Sequence, residues 1–178
     1  MSRPFRKAPG NRSRLAPLAL ALLVVCGGCY SFTGGGLPDH IRTVAVQAFE
    51  NTTVQPLLET DIQRELQTSL PRNLGVRLAE EAIADAVVRG TVVGYEEVAA
   101  SVRPSDQTSE RVTVAQRQVR ITYNAEIYDL KQDRRIWSAQ GQSVLGNYQP
   151  DNETPEVGRQ RAIREISTRM IEGAQSQW

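Results

Sequence analysis

The chain has almost none of the residues that carry nucleophilic or metal chemistry. Its 178 residues include two cysteines and one histidine. Both cysteines, Cys26 and Cys29, lie near the N-terminus, so His40 has no thiol to activate, and no Ser–His pairing stands out. A metal site would have to be built from carboxylates alone. The adjacent Glu96 and Glu97 point to opposite faces of a strand and cannot clamp one ion together. Gly34-Gly35-Gly36 follows no strand and opens no helix, which removes the phosphate-loop reading. The expectation is no catalytic residue, no metal ligand and no cofactor beyond a covalent lipid, argued next.

Long apolar runs are equally scarce. One stands out near the N-terminus, Leu15 to Val25, interrupted by Pro17. As a helix it would measure roughly 16 Å, about half of a bilayer's hydrocarbon core. It follows Arg3, Arg6, Lys7, Arg12 and Arg14 with no acid among them, and it ends in Cys26-Gly27-Gly28-Cys29. Basic lead, short apolar run and small residues before a cysteine make residues 1–28 a lipoprotein signal peptide. Cys29, preceded by two glycines, suits lipidation better than Cys26, which follows the β-branched Val25. Once Cys26 leaves with the signal, the mature chain has no second cysteine and no intramolecular disulfide.

Removal of the signal also changes the charge. The whole chain is nominally +1, but beyond Cys29 there are 16 Lys and Arg against 20 Asp and Glu, a net of −4. An acidic domain of this kind is not a general nucleic-acid binder. Any anionic ligand would need a local basic cluster.

Residues 29–40 read as the lipidated cysteine and a Gly-rich tether, and 41–178 as one domain. Ile41 to Phe49 predicts a buried strand, and Asn51-Thr52-Thr53 a polar turn. Leu58, Ile62, Leu66 and Leu70 recur at helical spacing, with Pro56 in the first turn and Pro71 limiting the end. Val76 to Leu78 is a short strand. Ala86 to Val102 is a long one, with Gly90 and Gly94 as bulges or points of close approach. Val119, Ile121, Tyr123, Ala125 and Ile127 alternate with Gln118, Arg120, Thr122, Asn124 and Glu126, the pattern of a sheet with one buried and one wet face. Val112 and Val114 fall on the opposite parity, which predicts a bulge near Ala115 or Gln116. A third strand runs from Arg135 to about Gly146, with Trp137, Ala139 and Leu145 on one face. Thr154-Pro155-Glu156 predicts the start of a last helix. Its apolar stripe is Ile163, Ile166, Met170 and Ala174, and Arg159, Arg161, Arg164 and Arg169 make a solvated face. The fold class is α+β: a two-layer sandwich, two helices on one face of a mostly antiparallel four- to five-stranded sheet. The polar sheet face meets water or docks inside a wet cavity of a partner.

Several segments together resemble the LptE family, the lipopolysaccharide-assembly lipoproteins of the Gram-negative outer membrane. They are Cys29 with Tyr30-Ser31-Phe32, Leu37-Pro38-Asp39-His40-Ile41-Arg42-Thr43-Val44-Ala45-Val46, Phe49-Glu50-Asn51-Thr52-Thr53, Ala84 to Val92, Ile127-Tyr128-Asp129-Leu130 and Ile136-Trp137. The resemblance implies a non-enzymatic protein, lipid-anchored on the periplasmic side of the outer membrane. It also implies a partner, an LptD-type β-barrel that the protein plugs and helps assemble, and assistance in lipopolysaccharide delivery to the outer leaflet. Contact with lipopolysaccharide phosphates would fall to Arg103 and Arg111, around the turn between the long strands. The opening strand with Phe49-Glu50-Asn51 also resembles lipoproteins of curli secretion and activators of peptidoglycan synthases, so a regulator of a synthase or a secretion-pore subunit is the alternative.

Overall fold

The computed structural model describes residues 36–104 and 112–176, with the backbone alone for 101–104 and 112–115. Residues 1–35, Arg111 and the side chain of Arg103 lie outside the described residues. In chain order the elements are β1 (Thr43–Val46), β2 (Glu50–Asn51), α1 (Leu58–Leu74), β3 (Arg77–Leu78) and a 3-10 turn (Glu81–Ile83). There follow β4 (Ala86–Pro104), β5 (Val112–Asp129), β6 (Arg134–Tyr148) and α2 (Pro155–Gln175).

The sheet order is β3-β1-β4-β5-β6, with β2 pairing β4 further along the same edge as β1. The meander β4-β5-β6 is antiparallel, whereas β1, β2 and β3 join in parallel. The sheet is therefore mixed and six-stranded, only partly antiparallel. Residue spacing carries the in-out pattern of a strand, but not which neighbour it takes. The single strand expected over Ile41–Phe49 is two short ones. Between them the chain steps off the sheet, and Phe49, 2 % exposed, turns its ring over Gly90.

Both helices cover one sheet face, as the apolar spacing predicts. α1 buries Leu58, Ile62, Leu66 and Leu70, each side chain contributing about 2 kcal/mol of hydrophobic stabilisation. Its ends differ from expectation. The helix starts after Leu57, whose φ of 66° is left-handed, so Pro56 precedes the first turn. Pro71 sits inside the last turn, and the stop comes at Gly75, φ 67°, whose N–H bonds the Pro71 carbonyl. A left-handed glycine terminates a helix with no Cβ penalty. α2 buries Ala162, Ile163, Ile166, Met170 and Ala174. Thr154 is its N-cap residue, but the hydroxyl makes no capping bond.

Close approach at two glycines sets the depth of α2 on the sheet. A Cβ on Gly146 of β6 would collide with the Gly158 carbonyl and the Ala162 nitrogen of α2. A Cβ on Gly158 would collide in turn with the Tyr148 ring. Bulges explain the remaining register. The pairing skips between Ser101↔Gln116 and Val102↔Val114, at the Ala115 expected from parity, and between Val92 and Gly94. A further irregularity is decisive for β6. Ala125 pairs Ala139 while Tyr123 pairs Gln142, and Gly141 between them has φ 60°. The extra residue reverses the parity of β6 beyond it. Val144 is buried and Leu145 is 46 % exposed, so Leu145 does not share a face with Trp137 and Ala139.

Candidate functional site

The sheet face away from the helices carries organised polar chemistry. β5 supplies Gln118, Arg120, Thr122, Asn124, Glu126 and Tyr128, all partly exposed. Cross-strand partners tie them into ladders. Glu126 receives Arg89 of β4 at 2.6 Å and Arg135 of β6 at 3.2 Å. Arg120 reaches Glu96 at 3.3 Å. The Thr122 and Ser143 hydroxyls lie 2.9 Å apart, and the Gly141 N–H donates to Asn124 Oδ1 at 2.7 Å. The Arg89 guanidinium also stands 5.5 Å from the centroid of the Tyr128 ring, and Asp133 accepts the Tyr128 hydroxyl, which raises that phenol above its ordinary value.

Half-exposed ion pairs of this kind contribute little to stability, about 0.2–1 kcal/mol each. Their effect is to fix a pattern of charge and hydrogen-bonding groups on the face away from the helices, which is open along β5 and closed at its β1 edge, where Ala45 and Val87 are buried. Toward β2 the face deepens into a depression of about 420 Å³ lined by Gln47, Glu50, Arg89, Thr91, Asn124 and Gln140. Val93 and Leu145, 43 % and 46 % exposed, add apolar points. Glu96 and Glu97 point to opposite faces as expected: Glu96 pairs Arg120, while Glu97 accepts the Tyr148 hydroxyl at 3.3 Å.

A second polar cluster lies where residues 36–42 enter the fold. Asp85 Oδ2 accepts the backbone N–H groups of Arg42 and Thr43 at 2.7 and 2.8 Å, and Oδ1 takes the Lys131 ammonium at 2.6 Å. Lys131 chiefly, then the backbone donors, hold the Asp85 carboxyl far below its ordinary range against the opposing effect of burial. Asp129, fully buried, accepts the backbone N–H groups of Lys131 and Gln132 and lies 2.7 Å from His40 Nε2. Burial alone would raise its pKa, but these donors together lower it. His40, which the sequence places beside the tether, is thus one arm of a latch closing the start of the domain onto the β5–β6 turn. The sequence carried no signal for the latch, because Asp85 and Asp129 are far apart in the chain.

The helix arginines divide. Arg161 pairs Glu153 at 2.6 Å and Arg169 pairs Glu165 at 2.9 Å, both at the surface. Arg159 departs from the expected solvated face: its side chain is 12 % exposed and bridges Asp61 of α1 and Glu156. Arg103 falls on the far end of β4, its backbone paired with Thr113, and its side chain, Arg111 and Cys29 lie outside the described residues. Among the described residues no group of His, Cys, Asp and Glu is arranged to hold a metal, and no helix is long and apolar enough to cross a membrane.

The family model LptE, lipopolysaccharide-assembly, matches residues 41–176, the whole of this sheet and both helices. The chain belongs to the LptE family. LptE is a family of assembly proteins rather than of enzymes. Comparison with curated proteins gives no match. Solved structures share the fold at low identity. Uncharacterized lipoprotein B from Nitrosomonas europaea has a TM-score of 0.52 at 11 % identity, covering 80 % of this chain and 86 % of its own. The hypothetical protein CT253 from Chlamydia trachomatis has a TM-score of 0.50 at 11 % identity, covering 75 % of this chain and 98 % of its own. Protein XCC0632 from Xanthomonas campestris has a TM-score of 0.50 at 10 % identity, covering 80 % and 91 %. At such identities the likeness speaks for the LptE-type fold alone.

Proposed function

We propose that this LptE-family chain is a lipid-anchored plug and assembly factor for an LptD-type outer-membrane β-barrel, assisting delivery of lipopolysaccharide to the outer leaflet. The observation that carries the reading is the polar face of β4, β5 and β6 that the helices leave open. A surface of cross-strand ion pairs and hydroxyls suits the lumen of a transmembrane barrel, which is polar on its inside. Cys29 carries the lipid, and its acyl chains hold the domain on the periplasmic side of the outer membrane. The protein performs no reaction of its own; it contributes shape and positioned polar groups.

Arg103 and Arg111 are the proposed contacts for lipopolysaccharide phosphates. A guanidinium holds a phosphate bidentately; the linker Asn147 to Glu153 at the same end of the sheet has no Lys or Arg, a departure from the family pattern that counts against the contact rather than for it. The test is affinity purification of the full chain from membranes, with identification of what copurifies. A heat-resistant β-barrel of the LptD type is expected. A penicillin-binding protein in its place would overturn the proposal in favour of a peptidoglycan-synthase regulator. Cys29→Ser should leave the domain folded and release it from the membrane fraction; a lipidated Cys29→Ser protein would move the anchor to Cys26.

A further inference from the structure

The two margins of the sheet are built differently. On one side lie β2 and β3, two residues each. The other is β6, a 15-residue strand whose neighbour in the sheet is β5 alone among the described residues. A strand margin carries a row of N–H and C=O groups able to pair with another chain, and proteins blunt it with charge, proline or a bulge. β6 has such features up to its middle: Arg134, Arg135 and the left-handed Gly141. The stretch beyond, Gln142-Ser143-Val144-Leu145-Gly146-Asn147-Tyr148, contains no charge and no proline. Two observations fix which of its backbone groups face outward. Val92 of β4 gives its carbonyl to the Thr52 N–H at 3.0 Å, so its β5 partner Tyr123 turns toward β6, and Ile121 and Val119 with it. Those residues pair Gln142, Val144 and Gly146, which leaves Ser143, Leu145 and Asn147 turned off the sheet. In agreement, the Asn147 carbonyl accepts Arg161 Nη1 at 2.7 Å. No strand meets Ser143 and Leu145 on that side among the described residues.

We propose that residues 142–148 of β6 receive an extended segment of the β-barrel partner as an added strand. The inference rests on the plug reading and deepens it by naming how the partner is held. Main-chain bonds to Ser143 and Leu145 supply the hold, and alternate side chains supply the selectivity. The Ser143 and Leu145 side chains lie on the same open face as Thr122 and Arg120, their partners in β5, so an added strand widens the face that the plug reading docks. Continuity with that face selects the barrel as the source. The wall of a closed barrel has its backbone paired from strand to strand and presents no edge. Free backbone is left to its loops, so the occupant is a loop segment reaching into the lumen. The charged groups at this edge are already engaged: Arg161 pairs Glu153, and Arg120 pairs Glu96. The added strand therefore meets polar and apolar groups rather than an unpaired charge.

Hydrogen exchange of the full chain, measured alone and in the complex recovered from membranes, reads these backbone bonds directly. Peptides covering 142–148 should exchange several-fold more slowly in the complex. Ser143→Pro removes one outward N–H at an edge position where proline is tolerated. It should lower recovery of the barrel several-fold relative to Ser143→Ala, with a cooperative melting transition retained. A recovered barrel with unchanged exchange over 142–148 would overturn the added strand and leave the plug reading standing. No barrel recovered with the wild-type chain would overturn both together. Protection of 142–148 in the chain alone, with the mass of a dimer by light scattering, would give the edge to a second copy and overturn the proposal. The exchange comparison uses the wild-type chain, so it decides the matter even where Ser143→Pro fails to fold.

Discussion

Arg120 and Ile121 are neighbours in one strand with opposite surroundings. Ile121 is fully buried and pairs with Val144 beneath α2, while Arg120 pairs with Leu145 on the open face and reaches Glu96. The same alternation runs from Val119 to Ile127, so β5 divides the molecule into a side that stores stability and a side that faces outward with polar groups. On the covered side, apolar groups are close-packed and a change of one methylene is felt. On the open side, charged groups are half hydrated and their replacement costs little. The proposed plug role needs both, because a docking face can diverge only if the fold does not depend on it.

The comparison breaks hardest at Ile121. Ile121→Asp places a carboxylate with no partner in the apolar layer, a cost of at least about 4 kcal/mol, and thermal unfolding followed by circular dichroism should find no cooperative transition. Thr122→Asp, one residue on and on the open face, should still unfold cooperatively, losing about 1 kcal/mol for strand propensity and the bond to Ser143. A folded Ile121→Asp protein would mean that the two faces are not divided as described.

Much of this division was legible in the sequence, and the exceptions have physical causes. Period-two alternation places the β5 side chains correctly because each strand residue reverses face. The two helices follow from the spacing of Leu58, Ile62, Leu66 and Leu70 and of Ile163, Ile166, Met170 and Ala174. Alternation failed at Leu145 because the left-handed Gly141 adds a residue that shifts all later parity. It was silent on β1, β2 and β3 running parallel, since strand order depends on where α1 carries the chain. On the candidate site, the polar residues of β5 were visible as a face. Their partners Arg89, Glu96, Arg135 and Ser143 come from other strands, and pairing across a sheet is not written in local spacing. The burial of Arg159 was missed for the same reason: its partner Asp61 belongs to the other helix.

The latch sharpens the comparison, since it is polar yet stabilising. Asp85 is 7 % exposed and fully bonded, unlike the carboxylates of the open face. Asp85→Asn keeps the shape but loses the ionic bond to Lys131, and should cost about 2 kcal/mol at neutral pH. The folded carboxyl titrates well below its ordinary value of 3.8, so the unfolded chain binds the proton more readily. Its stabilisation is therefore fully present above about pH 4 and drains away as the pH falls further. Denaturant midpoints measured from pH 7 to pH 2 should fall steeply for wild type below pH 4 and less steeply for Asp85→Asn. Parallel curves would remove Asp85 from the acid response and leave it to the remaining carboxylates.

A small effect on stability is expected at Glu126, where the effect on partnership should be the largest. Glu126 holds Arg89 and Arg135, which are 49 % and 59 % exposed, so water rehydrates both guanidiniums once the carboxylate is gone. Glu126→Gln should therefore shift the stability by less than about 1 kcal/mol. It nevertheless changes the charge pattern at the centre of the open face by one unit beside two cations, and a complementary wall would read that change. Recovery of the β-barrel with the Glu126→Gln chain should drop at unchanged melting temperature. Thr168→Glu, on the outer side of α2, serves as the control for any surface charge change. A drop confined to Glu126 assigns docking to the sheet face; equal recovery from Glu126→Gln and wild type would leave that face as solvated surface and move the partner contact elsewhere on the domain.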